Sequence, residues 1–315
     1  MSVPSLPGLS EIAHRYRLIV CDLWGVVHNG RHAFPDALVS LAGLSAAGAV
    51  IHLVSNAPRP RSTISVQLNN LGVEKRYYDD LVTSGDTTRA ALLGSAPFNS
   101  EGAIGPGLIQ YSGTKCLHIG PDRDLPLFDG LDCRLITGLH DKQIACADFI
   151  VCTGLFDDET ETAEDYRPWL EQAVARDLLM VCANPDLVVM RGSDKIPCAG
   201  AVAASYESLG GKVKYFGKPH VEVYQSCLDL WRNAAHAAGV DDTLDPEQVL
   251  VIGDSLHTDI PGALKMGFRS VLISGGIHAE EFGVEPDELP SPKAIDRACE
   301  KFGVTPDYVM ASLMW

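Results

Sequence analysis

The stretch Leu18-Ile19-Val20-Cys21-Asp22-Leu23-Trp24-Gly25-Val26-Val27 sets four consecutive apolar residues directly before a carboxylate. A run without polar alternation suits a strand covered on both faces, the habit of parallel sheets. Three more runs end in the same manner: residues 50–54 before Ser55, 213–216 before Gly217-Lys218, and 249–252 before Gly253-Asp254. Helical stretches at 35–47, 61–71, 221–238 and 260–266 lie between or after them. Strands alternating with helices predict an α/β fold with a doubly wound parallel sheet. Such sheets bind ligands beyond the carboxyl ends of their strands, so all four polar ends are expected in one crevice.

Between Ser55 and Lys218 lie far more residues than one crossover helix needs. Three further candidate strands, at 116–119, 148–152 and 178–182, with a helical stretch at 163–176, allow this insertion to form an α/β unit of its own. The reading is therefore a core made of residues 1–84 and 206–315 with an inserted α/β cap at 85–205. The Gly- and Ser-rich stretch 94–113 marks the start of the insertion.

The chain has 315 residues, 46% hydrophobic and 21% charged, enough to bury a real core. Its 25 basic and 41 acidic residues leave a formal charge of −16, which repels phosphate backbones, so no nucleic-acid partner is expected. No stretch approaches the ~20 apolar residues of a bilayer span, and the amino terminus lacks the apolar run of a signal peptide. A cytoplasmic protein without a membrane partner is expected. Nine cysteines, none spaced as a zinc knuckle, read as free buried thiols.

A carboxylate at the end of a buried strand costs several kcal/mol unless it meets a cation. Lys218 is one candidate partner of Asp22, and a metal is another. The turn Gly253-Asp254-Ser255-Leu256-His257-Thr258-Asp259 adds two carboxylates of the kind that suits Mg²⁺, a cation that takes one or two carboxylates, water and substrate phosphate. An acidic protein handling a phosphorylated ligand needs such a cation. There is no Walker lysine motif, no Gly-x-Ser-x-Gly elbow and no His-Glu-x-x-His.

Cys21-Asp22-Leu23-Trp24-Gly25-Val26-Val27, Val54-Ser55-Asn56, Gly217-Lys218-Pro219 and Gly253-Asp254-Ser255 through Asp259-Ile260 resemble the four ordered motifs of the haloacid dehalogenase (HAD) superfamily. The long insertion between the second and third, with Ala183-Asn184-Pro185-Asp186 and Cys198-Ala199-Gly200-Ala201, is similar to the class IIA, NagD-like branch of sugar- and nucleotide-phosphate phosphatases. The resemblance implies a Rossmann-like core and a Mg²⁺-dependent phosphatase acting on a small phosphorylated metabolite. Asp22 would be the nucleophile that forms an aspartyl phosphate. Ser55, with the backbone near Asn56, would hold phosphoryl oxygens, and Lys218 would neutralise both nucleophile and transferring group. Asp254, Asp22 and the carbonyl of Trp24 would hold Mg²⁺, with Asp259 a ligand through water or an orienting group. Asn184 would face the substrate from the cap or sit at the hinge, and the cap would offer a homodimer surface.

The chain departs from that pattern at Trp24, where phosphatases of the superfamily place a second aspartate that protonates the leaving group. An indole is a donor only and is not acidic. A missing general acid costs ~10² to 10⁴ in rate, most for alkyl phosphates and least for good leaving groups. Three readings stay open: a phosphatase in which His28, His220 or a cap residue delivers the proton; another reaction of the superfamily, of dehalogenase or phosphonatase type; or a protein that binds a phosphorylated metabolite with little or no turnover.

Overall fold

The computed structural model describes residues 3–93, 113–139, 141–192, 194–285 and 287–315. Six parallel strands form the first sheet: β1 (Leu18–Asp22), β2 (Val50–Ser55), β3 (Asp80–Thr83), β11 (Val249–Gly253), β12 (Arg269–Ile273) and β13 (Tyr308–Met310), in the spatial order β13-β12-β11-β1-β2-β3. The opening stretch thus lies at the centre, paired with β2 on one side and β11 on the other. Its lack of alternation has a direct cause. Ile19 and Cys21 pack with Leu41, Leu44, Ile64 and Leu68 of helices α1 (Pro35–Ala46) and α2 (Arg61–Asn70). Leu18 and Val20 pack on the opposite face with Val223, Tyr224, Cys227 and Trp231 of α7 (Val221–Ala238) and Ala263 of α8 (Asp259–Met266). Both faces being covered, no position in the strand tolerates a solvated side chain.

A second parallel sheet holds β4 (Thr114–Ile119), β5 (Cys133–Thr137), β6 (Phe149–Cys152), β7 (Leu179–Cys182) and β10 (Lys212–Tyr215), in the order β10-β7-β6-β4-β5. An antiparallel hairpin, β8 (Val188–Arg191) and β9 (Asp194–Pro197), follows β7. Helix α3 (Ser84–Leu93) leaves the first sheet; α4 (Asp141–Cys146), α5 (Arg167–Ala175) and α6 (Ala199–Ser208) belong to the second unit. Helices α9 (Ala279–Phe282) and α10 (Pro292–Phe302) close the carboxyl-terminal half. The stretch taken as the start of the insertion lies, but for Gly113, outside the described residues.

One strand assignment is corrected. The run at 213–216 was expected in the first sheet, but β10 pairs with β7 at the edge of the second. Lys212 and Lys214 alternate with Val213 and Tyr215, and only the latter two pack on the cap core, the signature of an edge strand with one wet face. The second sheet therefore runs to Tyr215, past the limit of 205 drawn from the sequence, and that limit falls inside α6.

All nine cysteines are free and six are buried. Among the described residues no helix is long and apolar enough to cross a membrane. Leu53, at the heart of β2, is fully buried. Leu53→Ala is expected to cost about 2–5 kcal/mol and to lower Tm by at least about 4 °C in a thermal melt; a smaller shift would remove this layer as the packing centre.

Candidate active site

The carboxyl ends of β1, β2 and β11 carry Asp22, Ser55 and Asp254. Because Cys21 pairs with Ile252 across the β1–β11 ladder, Asp22 and the turn after Gly253 leave the sheet side by side. Oxygen atoms of Asp22, Asp254 and Asp259 all lie within 4.8 Å of one another, and all three residues are buried. The Lys218 ammonium forms an ion pair with Asp22 and donates to Asp259 Oδ1 at 2.7 Å. Asp22, Ser55, Lys218 and Asp254 thus line one cavity of about 130 Å³, with Asp259 holding the Lys218 ammonium beside it.

Lys218 reaches this place from the other unit, on the segment that returns from β10. Asn56 receives it: its side-chain Oδ1 accepts from the Lys218 N–H at 2.7 Å and its Nδ2 donates to the Lys218 carbonyl at 3.2 Å. The amide thus replaces a strand partner that the chain lacks at this point. Close approach is possible because Gly217 has φ +108° and no side chain; a Cβ there would stand 2.5 Å from Asn56 Oδ1. Glycines shape the acidic cluster as well. A Cβ at Gly25 or Gly276 would fall 1.9 or 2.2 Å from Asp254 Oδ2, and one at Gly253 would fall 2.1 Å from Asp259 Cγ.

Three buried carboxylates face one ammonium, an excess of two negative charges. Burial, and then Asp259, push the Asp22 carboxyl up to about 7, against the pull of Lys218. Burial, Asp22 and Asp259 hold Asp254 well above the carboxylate range. Burial works against the Lys218 ammonium, yet Asp22 and Asp259 outweigh it and keep the group protonated. A buried, all-oxygen donor set with uncompensated charge fits a hard divalent cation. Asp259 is already engaged, since its Oδ2 accepts from the Ser255 N–H at 3.2 Å while Oδ1 holds Lys218. Both of its oxygens thus meet groups of the protein.

The remaining expected residues divide. Ser55 is buried on the cavity wall, its Oγ accepting from Ala57 N–H at 3.1 Å. Asn56 was expected to help hold phosphate through its backbone; its side-chain amide is committed to Lys218 and to Asp186, whose Oδ1 it reaches at 2.8 Å. Only its backbone is left for a ligand. Asn184 lines the cavity, with Oδ1 accepting from the Asp186 N–H at 3.0 Å. Trp24 lines it too, its ring lying over Gly30 and meeting the His28 ring edge-on at 5.0 Å. His28 is buried behind that indole; its Nδ1 accepts from the Gly30 N–H at 3.0 Å, and burial pushes its pKa down to about 4. His220 stacks on Tyr215 at 6.0 Å. Neither histidine is among the described residues that line the cavity.

Sequence reasoning missed the roof of the cavity. Asp186, Arg123, Asp124, Thr153, Asp158 and Arg191 line it from the second unit, together with Arg59 from the segment after β2. Asp186 could have been found through the Asn184-Pro185-Asp186 motif. Arg191 ends β8, and the others sit in connecting segments that carry no local pattern.

A family model for haloacid dehalogenase-like hydrolases matches residues 19–133, and a HAD-hydrolase-like model matches 215–312. A crystallised hydrolase of the haloacid dehalogenase-like family from Brucella suis 1330 superposes with a TM-score of 0.77 at 37% identity, over 98% of this chain and 100% of that one. The chain belongs to the haloacid dehalogenase-like hydrolases. Its insertion between the second and third motifs sets it in the class IIA, NagD-like branch. The ribonucleotide monophosphatase NagD of Escherichia coli K12 is 22% identical over 82% of this chain and 88% of its own length. The D-glycerol 3-phosphate phosphatase of Mycobacterium tuberculosis is 24% identical over 91% of this chain and 71% of its own length.

Removing one of the crowded carboxylates should relieve the cation-free hydrolase. Asp254→Asn keeps an acceptor for the Ile277 N–H, which Asp254 Oδ2 now takes at 2.8 Å. At pH 8 without divalent ions its Tm is expected to exceed wild type by about 2 °C or more. The rise in Tm that Mg²⁺ gives wild type should vanish in the variant; an equal rise in both proteins would mean that the ion binds elsewhere.

Proposed function

We propose that this hydrolase is a Mg²⁺-dependent phosphomonoesterase that passes the phosphoryl group of a small phosphorylated metabolite through an aspartyl phosphate on Asp22. The observation that carries the reading is the ion pair between Asp22 and Lys218 at the floor of the cavity, beside Asp254. The phosphatase names of the two relatives above support the reaction class.

An Asp22 oxygen attacks phosphorus; the new bond is Asp22 O–P, and the ester P–O bond breaks with its electron pair on the leaving oxygen. Water then attacks the same phosphorus, the Asp22 O–P bond breaks, and inorganic phosphate leaves with the carboxylate restored. Lys218 favours the ionised form of Asp22 against the burial and the Asp259 charge that raise it, and offsets charge on the equatorial phosphoryl oxygens, where a loose transition state concentrates it. The Ser55 hydroxyl stands ready to hold one of those oxygens. Asp22, Asp254 and the carbonyl of Trp24 would hold Mg²⁺, which when bound supplies further positive charge to the transferring group.

Asp186 supplies the proton that Trp24 lacks. It faces the cavity from the cap, Asn56 fixes one of its oxygens, and burial pushes it up to about 6 despite Lys218. A carboxyl with that value is protonated often enough near neutrality to give a proton to the leaving oxygen and to take one from water in the second step.

The test is a Mg²⁺-dependent phosphate-release screen across sugar phosphates, nucleotides and aryl phosphates. Asp22→Asn should lose turnover by about 10³-fold or more with an unchanged circular dichroism spectrum. Wild-type binding of phosphorylated compounds without any phosphate release would instead favour the ligand-binding reading. Asp186→Asn, which keeps an acceptor for Asn56, should slow alkyl phosphates by about 10²- to 10⁴-fold and p-nitrophenyl phosphate far less. Because the acid must be protonated, the wild-type alkyl-phosphate rate should fall as pH rises through about 6; the variant should lack that limb. A limb unchanged in the variant would clear Asp186 of the role.

A further inference from the structure

The second sheet is itself doubly wound, and its order reverses at β4, which has β5 on one side and β6 on the other. Ligands in open α/β sheets bind outside the carboxyl ends of strands at such a point. The segments that leave β4 and β6 carry Arg123 and Asp124, and Thr153 and Asp158, and all four line the cavity that holds Asp22. The cavity therefore lies at the ligand-binding edges of two sheets at once, with Arg123 from the second sheet, Arg59 from the segment after β2 and Arg191 from the β8 hairpin.

Three guanidinium groups face it. Arg123 and Arg191 share one oxygen, Oδ2 of Asp158, with Arg191 at 2.9 Å. Arg59 stands over Asp124, its Nε 3.4 Å from Oδ1. That Nε is buried and has no hydrogen-bond acceptor. Against three cations the wall has three carboxylates, Asp124, Asp158 and Asp186, a local balance in a chain of formal charge −16. Arg191 also reaches Glu159 at 3.5 Å, but the Glu159 side chain is 74% exposed, against 10% for Asp158, and lies outside the cavity. Burial and the nearby Arg123 both disfavour the charged form of Arg59, and Asp124 only partly offsets them. The wall is also held firmly: His118 Nε2 and Thr153 Oγ1 lie 2.9 Å apart, and Thr153 in turn hydrogen-bonds Asp124. A preorganised wall that brings three guanidinium groups to one cavity, one of them with an unused donor, is suited to an oxyanion.

We propose that Arg59, Arg123 and Arg191 form a second oxyanion subsite, so that the substrate is a small phosphomonoester bearing a carboxylate or a second phosphate at its far end. The position of the first phosphoryl group rests on the reading of Asp22 given above. With room of about 130 Å³, the cavity favours a short spacer between the two anionic ends.

Three compounds on one three-carbon frame test this: 3-phosphoglycerate, glycerol 1,3-bisphosphate and glycerol 3-phosphate, with p-nitrophenyl phosphate as a tailless control. At least one of the first two should exceed glycerol 3-phosphate in kcat/KM by about 10-fold or more, and which of them does so tells carboxylate from phosphate. In Arg123→Met and Arg191→Met that ratio should fall about 10-fold, chiefly through KM, and Arg191→Lys should restore part of it. Equal kcat/KM for the three compounds, or ratios untouched by the arginine variants, would overturn the subsite while leaving the phosphatase reading intact. If no phosphomonoester is hydrolysed, the control included, the phosphatase reading fails by itself. Calorimetric binding of the same three compounds to Asp22→Asn then decides the subsite: preference for an anionic tail that the arginine variants lose supports it, and equal binding sinks it.

Discussion

The structure depends on one buried ammonium. Lys218 lies between Asp22 and Asp259 with almost no access to solvent, and without it three carboxylates would share a pocket with no counter-charge from the protein. The cost of leaving such charges unpaired is several kcal/mol, which is comparable to the net stability of a domain. Burial is what makes the arrangement useful, since like charges crowded in a low dielectric interact far more strongly than they would in water. The same crowding prepares a place for a divalent ion, whose charge the donor set lacks.

Lys218 also joins the two halves of the molecule. It follows the edge strand of the cap and docks on the core through Asn56, so the core cannot complete its charge balance until the inserted unit has returned. Charge pairing and chain topology are thus one constraint. Asp186 bonds to the same Asn56, so a single amide holds a core lysine and a cap carboxyl in register. Lids that complete a site in this way couple water exclusion to the assembly of the reacting groups.

How much of this was readable beforehand follows from how each element is buried. β1, β2 and β11 are covered on both faces, so their apolar runs announced them, and the carboxylates at their ends could be placed together from topology alone. β10 defeated the same rule, because a half-wet edge strand with two lysines was read as a covered one. β5 was not found at all, since no position of Cys133–Thr137 is fully buried. Asp259 and Lys218 were legible as charges needing partners, whereas the commitment of the Asn56 side chain was not, because its partners are 130 and 162 residues away. Arg123 and Arg191 escaped for a related reason: they come from different segments, and nothing local to either signals a shared cavity.

The glycines around the acidic cluster have a consequence for anyone wishing to move this chemistry to another scaffold. Positions 25, 217, 253 and 276 contribute no functional group, yet a single methyl at any of them would occupy space that a working carboxyl or amide already fills. Grafting the aspartates, the lysine and the serine onto a foreign α/β sheet would reproduce the reagents without the hollows that seat them. Such a graft must copy the missing atoms as faithfully as the present ones.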